Sequence, residues 1–238
     1  MNDIAWAYLA LALALGASFA PASKWRSAAF LAGSWAAALL VLIGGFTAVT
    51  SGVSQAATPG PLAILPGFTF ALDPLRGYFL LISAAVYAVS APFLLRALRP
   101  RTPRRDRLVL VCSTVLFAAM LTVPFSAGIV SLLFSWEIMS LSLAALVLLG
   151  RGTQAQVRAG LLTLAFSEAG ALSALAGLLV LAAAAGTPSL AGIGAAAARL
   201  PEGAVWAGFL LTFFGFGVKT GIVPVNAWMS YAYALSPR

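Results

Sequence analysis

Apolar runs long enough to cross a bilayer follow one another along this chain, and they restrict it to one fold class. A helical span needs about 20 mostly apolar residues. Such runs cover residues 4–20, 28–49, 72–95, 108–123, 127–149, 159–184 and 204 to at least 222. Only 8% of the chain is charged and 62% is hydrophobic, against about 25% charged in soluble domains. The runs are continuous, not alternating segments of about 10 residues, so a transmembrane barrel does not fit. The expectation is an all-α integral membrane protein with seven spans. The first run follows Asp3 and has no basic segment before it, which reads as a span and not a cleaved leader.

Local signals place the boundaries. Pro21, Lys24 and Arg26 mark a turn, and Gly52, Pro59, Gly60, Pro61 and Pro66 mark a long loop over residues 50–69. Asp73 is suited to cap the third helix with Pro74 at its first position. Pro124 stops the fourth. A Gly/Ala-rich loop with Pro188, Arg199, Pro201 and Glu202 precedes the seventh. Two segments result: residues 1–107, three spans ending in a basic loop over 96–107, and residues 108–238, spans four to seven.

The net charge is +8, yet its distribution encodes topology and not nucleic-acid binding. Arg96, Arg99, Arg101, Arg104, Arg105 and Arg107 share one short loop. With the N-terminus outside, this loop falls in the cytoplasm together with Lys24, Arg26, Arg151, Arg158 and Arg238, while the outer segments hold only Arg199 and, just inside span three, Arg76. One cysteine, Cys112, and no histidine exclude an intrachain disulfide, a multi-thiolate cluster and a Ser-His-Asp set. No metal site and no cofactor site is expected in this chain. Gly215 and Gly217 lie in a span and follow no strand, so they do not form a phosphate-cradling loop.

Against this background three residues stand out: Glu137 in span five, Glu168 in span six and Lys219 in span seven. A charge at the bilayer centre costs about 2.5 kcal/mol or more, so such residues generally face a wet or paired interior and mark ion paths. Glu137 lies about ten residues from either end of its run, too deep to snorkel. It reads either as a protonated acid bonded to a neighbouring helix or as a carboxylate paired with a cation. Glu168 reads either as part of that site or as a carboxylate at a wet helix end, with Thr163 and Ser167 available to bond it or a water. Lys219 is flanked by Gly215, Gly217, Gly221 and Pro224. Gly217, Gly221 and Pro224 should break the helix and free backbone carbonyls, a pattern that marks transport sites. Opposite charges about 4 Å apart interact by about 4 kcal/mol at an effective dielectric of 20, enough to move a lysine proton on or off.

Three segments resemble one family: the antiporter-like, proton-translocating membrane subunits of respiratory complex I, membrane-bound hydrogenases, formate hydrogenlyase and multisubunit Na⁺/H⁺ antiporters. They are Leu72-Asp73-Pro74-Leu75-Arg76-Gly77-Tyr78-Phe79, Trp136-Glu137-Ile138-Met139-Ser140-Leu141, and Phe216-Gly217-Val218-Lys219 through Gly221, Pro224 and Asn226 to Trp228. The likeness spans the chain, and the hydrogenase-type branch looks most similar. It implies that Glu137 and Lys219 are the helix-five glutamate and helix-seven lysine of a half-channel, with Glu168 as a third relay group. It also implies a multi-pass subunit of a bacterial inner (cytoplasmic) membrane complex, in which redox chemistry occurs in partner subunits. The chain itself would move protons or another cation and catalyse nothing alone.

The chain also departs from the family. Asn226 stands where His is common, and Ser230-Tyr231-Ala232-Tyr233 replaces a Pro-acidic-Ala-His pattern. The sequence stops at Pro237-Arg238, so the expectation is a partial half-channel: a fragment, a split product whose partner chain supplies the rest, or a reduced accessory subunit. The alternative is a truncated structural or assembly subunit. A stand-alone small-molecule transporter is the third reading, motivated by the broken span seven.

Overall fold

A computed structural model of the chain describes residues 2–19, 23–52, 54–57, 66–98, 103–149 and 153–235. Pro21, Pro59, Gly60, Pro61, Arg99, Arg101, Arg151, Pro237 and Arg238, all invoked above, lie outside the described residues, as does the Lys24 side chain. The helices are α1 (Asn2–Ala17), α2 (Ser23–Ser51), α3 (Pro74–Ala97), α4 (Pro103–Phe125), α5 (Ile129–Leu148), α6 (Gln154–Ala185), α7 (Leu190–Ala196), α8 (Glu202–Thr220) and α9 (Ala227–Leu235). Two three-residue strands, β1 (Gln55–Ala57) and β2 (Phe70–Leu72), pair with each other. Among the described residues six helices have the length and hydropathy of spans: α2, α3, α4, α5, α6 and α8. The apolar stretch Ile4–Ala17 of α1, expected as a full span, is shorter than these.

The boundaries follow the local chemistry. Asp73 caps α3 by accepting the Arg76 N–H at 2.8 Å, and the Arg76 guanidinium closes back on the same carboxylate. Thr153 caps α6 by accepting the Gln156 N–H at 3.3 Å, so the helix starts before the expected residue 159. Helix α4 begins inside the arginine loop, at Pro103, and places Arg104, Arg105 and Arg107 on its first turns. Pro124 does not stop it one residue early; it sits in the last turn. The expected loop before span seven contains a helix: Ser189 caps α7 through the Gly192 N–H, and a 3-10 turn over Ala197–Arg199 follows. Its glycines and alanines concealed that turn of helix from periodicity. Arg26, expected in a turn, lies in α2 and is only 6% exposed.

The helices pack as two units, α1 to α4 and α5 to α9. In the first, α2 lies against both α1 and α3. Tyr87 stacks on Phe117 with ring centroids 3.4 Å apart, and its hydroxyl bonds Ser34 at 2.9 Å. Thus α3 binds α2 by a polar contact and α4 by a ring contact. Tyr8 on α1 reaches Thr122 on α4 at 2.6 Å.

In the second unit α6 is central and meets α5, α7, α8 and α9. Small residues set the α6–α8 distance. A Cβ at Gly215 would lie 2.5 Å from both the Ala174 nitrogen and the Gly170 oxygen, so only hydrogen fits. Without a water-driven force between helices in lipid, such close backbone approach is what holds spans together. The Ser173 hydroxyl donates to the Leu211 carbonyl at 2.8 Å across the same seam. The opposite face of α8, with Trp206, Phe209, Leu210 and Phe213, is exposed and apolar, as a lipid-facing surface must be.

Candidate functional site

Each of the three intramembrane ionisable residues belongs to the second unit and sits beside its neighbours by a local cause. Glu137 lies midway along α5, directly after Trp136. Trp136 is 3% exposed and packs on Ala171 and Ala174 of α6 and against Phe216 of α8, with ring centroids 5.0 Å apart. This wedge fixes the rotation of α5, so the next residue, Glu137, is turned toward the other two helices. Glu168 precedes Gly170 by two residues, and Lys219 follows Gly215 by four. The close contact at Gly170 and Gly215 therefore brings both side chains to one level.

All three are partly buried. Glu137 on α5 and Glu168 on α6 lie within electrostatic range of each other. Glu168 buries its Oε1 with no hydrogen-bond donor on it. The Lys219 ammonium lies within electrostatic range of both acids.

The ammonium does not rest on either carboxylate. Lys219 Nζ donates to the Ser140 hydroxyl at 2.8 Å, one turn along α5 from Glu137. Among the described residues no carboxylate oxygen lies within 4.0 Å of the Lys219 ammonium. Ser140 is fully buried. Its place three residues after Glu137 puts it on that glutamate's helix face, which by itself does not single it out among the serines of α5.

The break after Lys219 is real, and its backbone is satisfied differently from the expectation. Helix α8 ends at Thr220, and Gly221 takes the left-handed conformation at φ +75°. The Ile222 N–H bonds the Gly217 carbonyl at 2.9 Å. The Trp228 indole N–H, from α9, bonds the Val218 carbonyl at 2.9 Å. The carbonyls expected to face water or the ammonium are thus capped by the turn and by a buried tryptophan. Trp228 and Ala232 pack against Val147 of α5 and Ala159 of α6, which seats α9 alongside those helices. Pro224 lies in the connecting turn, its peptide bond to Val223 in cis.

Thr163 and Ser167, expected to serve Glu168, do not bond it. Thr163 donates to the Ala159 carbonyl of its own helix at 2.8 Å, the usual behaviour of a helical threonine in an apolar setting. The Ser167 hydroxyl is buried without a partner. Among the described residues no group of three or more His, Cys, Asp or Glu is arranged to hold a metal ion.

Comparisons with known proteins agree with this architecture. Residues 126–238, nearly the whole second unit, match the transmembrane family described as NADH:quinone oxidoreductase/Mrp antiporter. An uncharacterized protein of Mycobacterium tuberculosis is 36% identical over 179 residues, 75% of this chain. Hydrogenase-4 component B of Escherichia coli is 25% identical over 187 residues, 79% of this chain. The chain spans 27% of the length of each of these two relatives. Among solved structures, a chain of the membrane-bound sulfane sulfur reductase, an archaeal respiratory membrane complex, superposes with a TM-score of 0.83 at 19% identity. That match covers 99% of this chain and 47% of the other, and it shows the shared fold.

Proposed function

We propose that this chain, whose residues 126–238 match the NADH:quinone oxidoreductase/Mrp antiporter transmembrane family, is an ion-translocating membrane subunit of a redox-driven complex. The ion is a proton or another small cation. Electron transfer takes place in partner subunits, of the kind found in complex I or membrane-bound hydrogenases, and this chain holds no cofactor of its own. The complex lies in the cytoplasmic membrane with the arginine-rich end of α3 and α4 inside, as the charge bias requires.

One observation carries the reading. A lysine at a helix break, on a helix packed along the one that carries Glu168, is held on α5 by Ser140, one turn from Glu137. Intramembrane ionisable clusters of this kind mark proton relays. In the proposed cycle a proton on Lys219 favours charge on Glu137. Loss of that proton to the next carrier leaves Glu137 free to take its proton back from the Glu168 side. Each transfer changes the charge that the other groups feel and so the ease with which each holds its proton. Redox work in the partner subunits would bias the cluster from one charge state to the other.

The test is Lys219→Ala and Glu137→Gln in the assembled complex of the native host. Both variants should assemble, and both should abolish or nearly abolish proton uptake into inverted membrane vesicles. Full uptake by either assembled variant removes the relay.

A further inference from the structure

The Lys219–Ser140 hydrogen bond points to a residue the relay needs that neither the family match nor the charges reveal. Along α5 the ammonium has two acceptors, three residues apart on one face: the Glu137 carboxyl and the Ser140 hydroxyl. It occupies the second, at 2.8 Å, with the first in charge range. Ser140 is fully buried and donates to no side chain or carbonyl described for it. Neighbouring serines on the same helix behave otherwise. Ser131 donates to the Thr69 carbonyl at 2.7 Å, and Ser135 to the Ser131 carbonyl at 2.7 Å. Those two hydroxyls are engaged with backbone, whereas the Ser140 oxygen faces the ammonium.

We infer that Ser140 is a positioning residue: a neutral seat on which Lys219 rests one step away from Glu137. The inference rests on the relay proposed above. The physical reason for a neutral seat is kinetic. An ammonium docked directly on a carboxylate in a desolvated site sits in a deep electrostatic well, whereas a hydroxyl satisfies one N–H without such a well. A lysine held by Ser140 stays ordered, remains near Glu137, and moves between the two acceptors by a change of side-chain rotamer. Its flexible four-carbon stem suits that motion. Without Ser140 the ammonium has only the carboxylates, and the two charge states are no longer balanced.

The test compares Ser140→Ala and Ser140→Thr with wild type in the assembled complex. Complex content is measured on native gels, and proton uptake is measured in inverted vesicles of the native host. Ser140→Ala should lower uptake several-fold at unchanged complex content, and Ser140→Thr, which keeps the hydroxyl, should restore at least half of it. A serine needed only for packing would not give this split, because alanine is the smaller side chain and threonine the larger. If the alanine variant does not assemble, Ser140→Cys, nearly isosteric and a poor acceptor, takes its place with the same expectation. Wild-type uptake in the assembled alanine or cysteine variant overturns the inference, as does an assembled threonine variant with no more uptake than alanine. Loss of uptake in Lys219→Ala with full uptake in Ser140→Ala removes the seat and keeps the relay. Full uptake in Lys219→Ala removes both.

Discussion

Placing a single methyl group at Gly215 should disturb both the packing and the ion site. In Gly215→Ala the new Cβ would lie 2.5 Å from two backbone atoms of α6, where ordinary contact begins at 3.4 Å. The shortfall is about 0.9 Å, and backbone cannot rotate aside as a side chain can. Alanine is the better helix former by about 1 kcal/mol, so propensity alone favours the substitution. Overpacking in a close-packed seam costs about 1–3 kcal/mol. The clash therefore outweighs or at least cancels the gain, for a net loss of up to about 2 kcal/mol. The geometric effect is larger than the energetic one. Lys219 lies one turn beyond Gly215, and its bond to Ser140 is 2.8 Å. Moving α8 off α6 by about 0.9 Å shifts the backbone that carries Lys219 relative to Ser140 on α5 and so strains that contact. The assay is thermal unfolding of the detergent-solubilised complex beside proton uptake in vesicles. Gly215→Ala should lower the unfolding midpoint and cut uptake severalfold. Gly203→Ala, in the same helix with nothing within 4 Å of its Cβ, is the control and should do neither. If Gly215→Ala unfolds at or above the wild-type temperature with full uptake, the close approach of α6 and α8 does not set the site.

Further outcomes follow from single contacts. Trp228→Phe keeps the ring and removes the N–H that caps the Val218 carbonyl; since the Gly221 N–H also reaches that carbonyl at 3.3 Å, the loss should be about 1 kcal/mol, read as a lower unfolding midpoint. Gly221→Ala faces both a left-handed φ and the Met229 sulfur, and should destabilise by more than the roughly 1 kcal/mol of the conformational penalty alone. Asp73→Ala should cost about 1 kcal/mol through loss of the α3 cap, whereas Asp73→Asn should cost less, because asparagine caps equally well and the partly exposed Arg76 pair adds little. Equal loss in the two Asp73 variants would assign the effect to the ion pair and not to the cap.

Much of the fold was legible along the chain because lipid leaves few choices. A backbone group cannot stay unbonded in hydrocarbon, so a long apolar run has to be a helix, and Asp73, Pro74 and Gly221 mark its ends by local geometry. Helix α7 was not legible, since Leu190–Ala196 is too short and too rich in glycine and alanine to show a period. The three ionisable residues were also legible, because charge in an apolar run is conspicuous by its cost. Their partners were not. Ser140 looks like any other serine of α5 until Lys219 is seen on it, and the carbonyl that Trp228 caps lies ten residues away across a turn.

Sequence alone determined that this chain enters a membrane as helices, roughly where the long ones run, and which three side chains need company there. Those are consequences of solvation, and solvation is decided residue by residue. Tertiary structure alone decided which partner each one meets. The seam at Gly170 and Gly215 and the wedge of Trp136 set helix distance and rotation to within an ångström, and that is the scale on which an ammonium chooses a hydroxyl over a carboxylate.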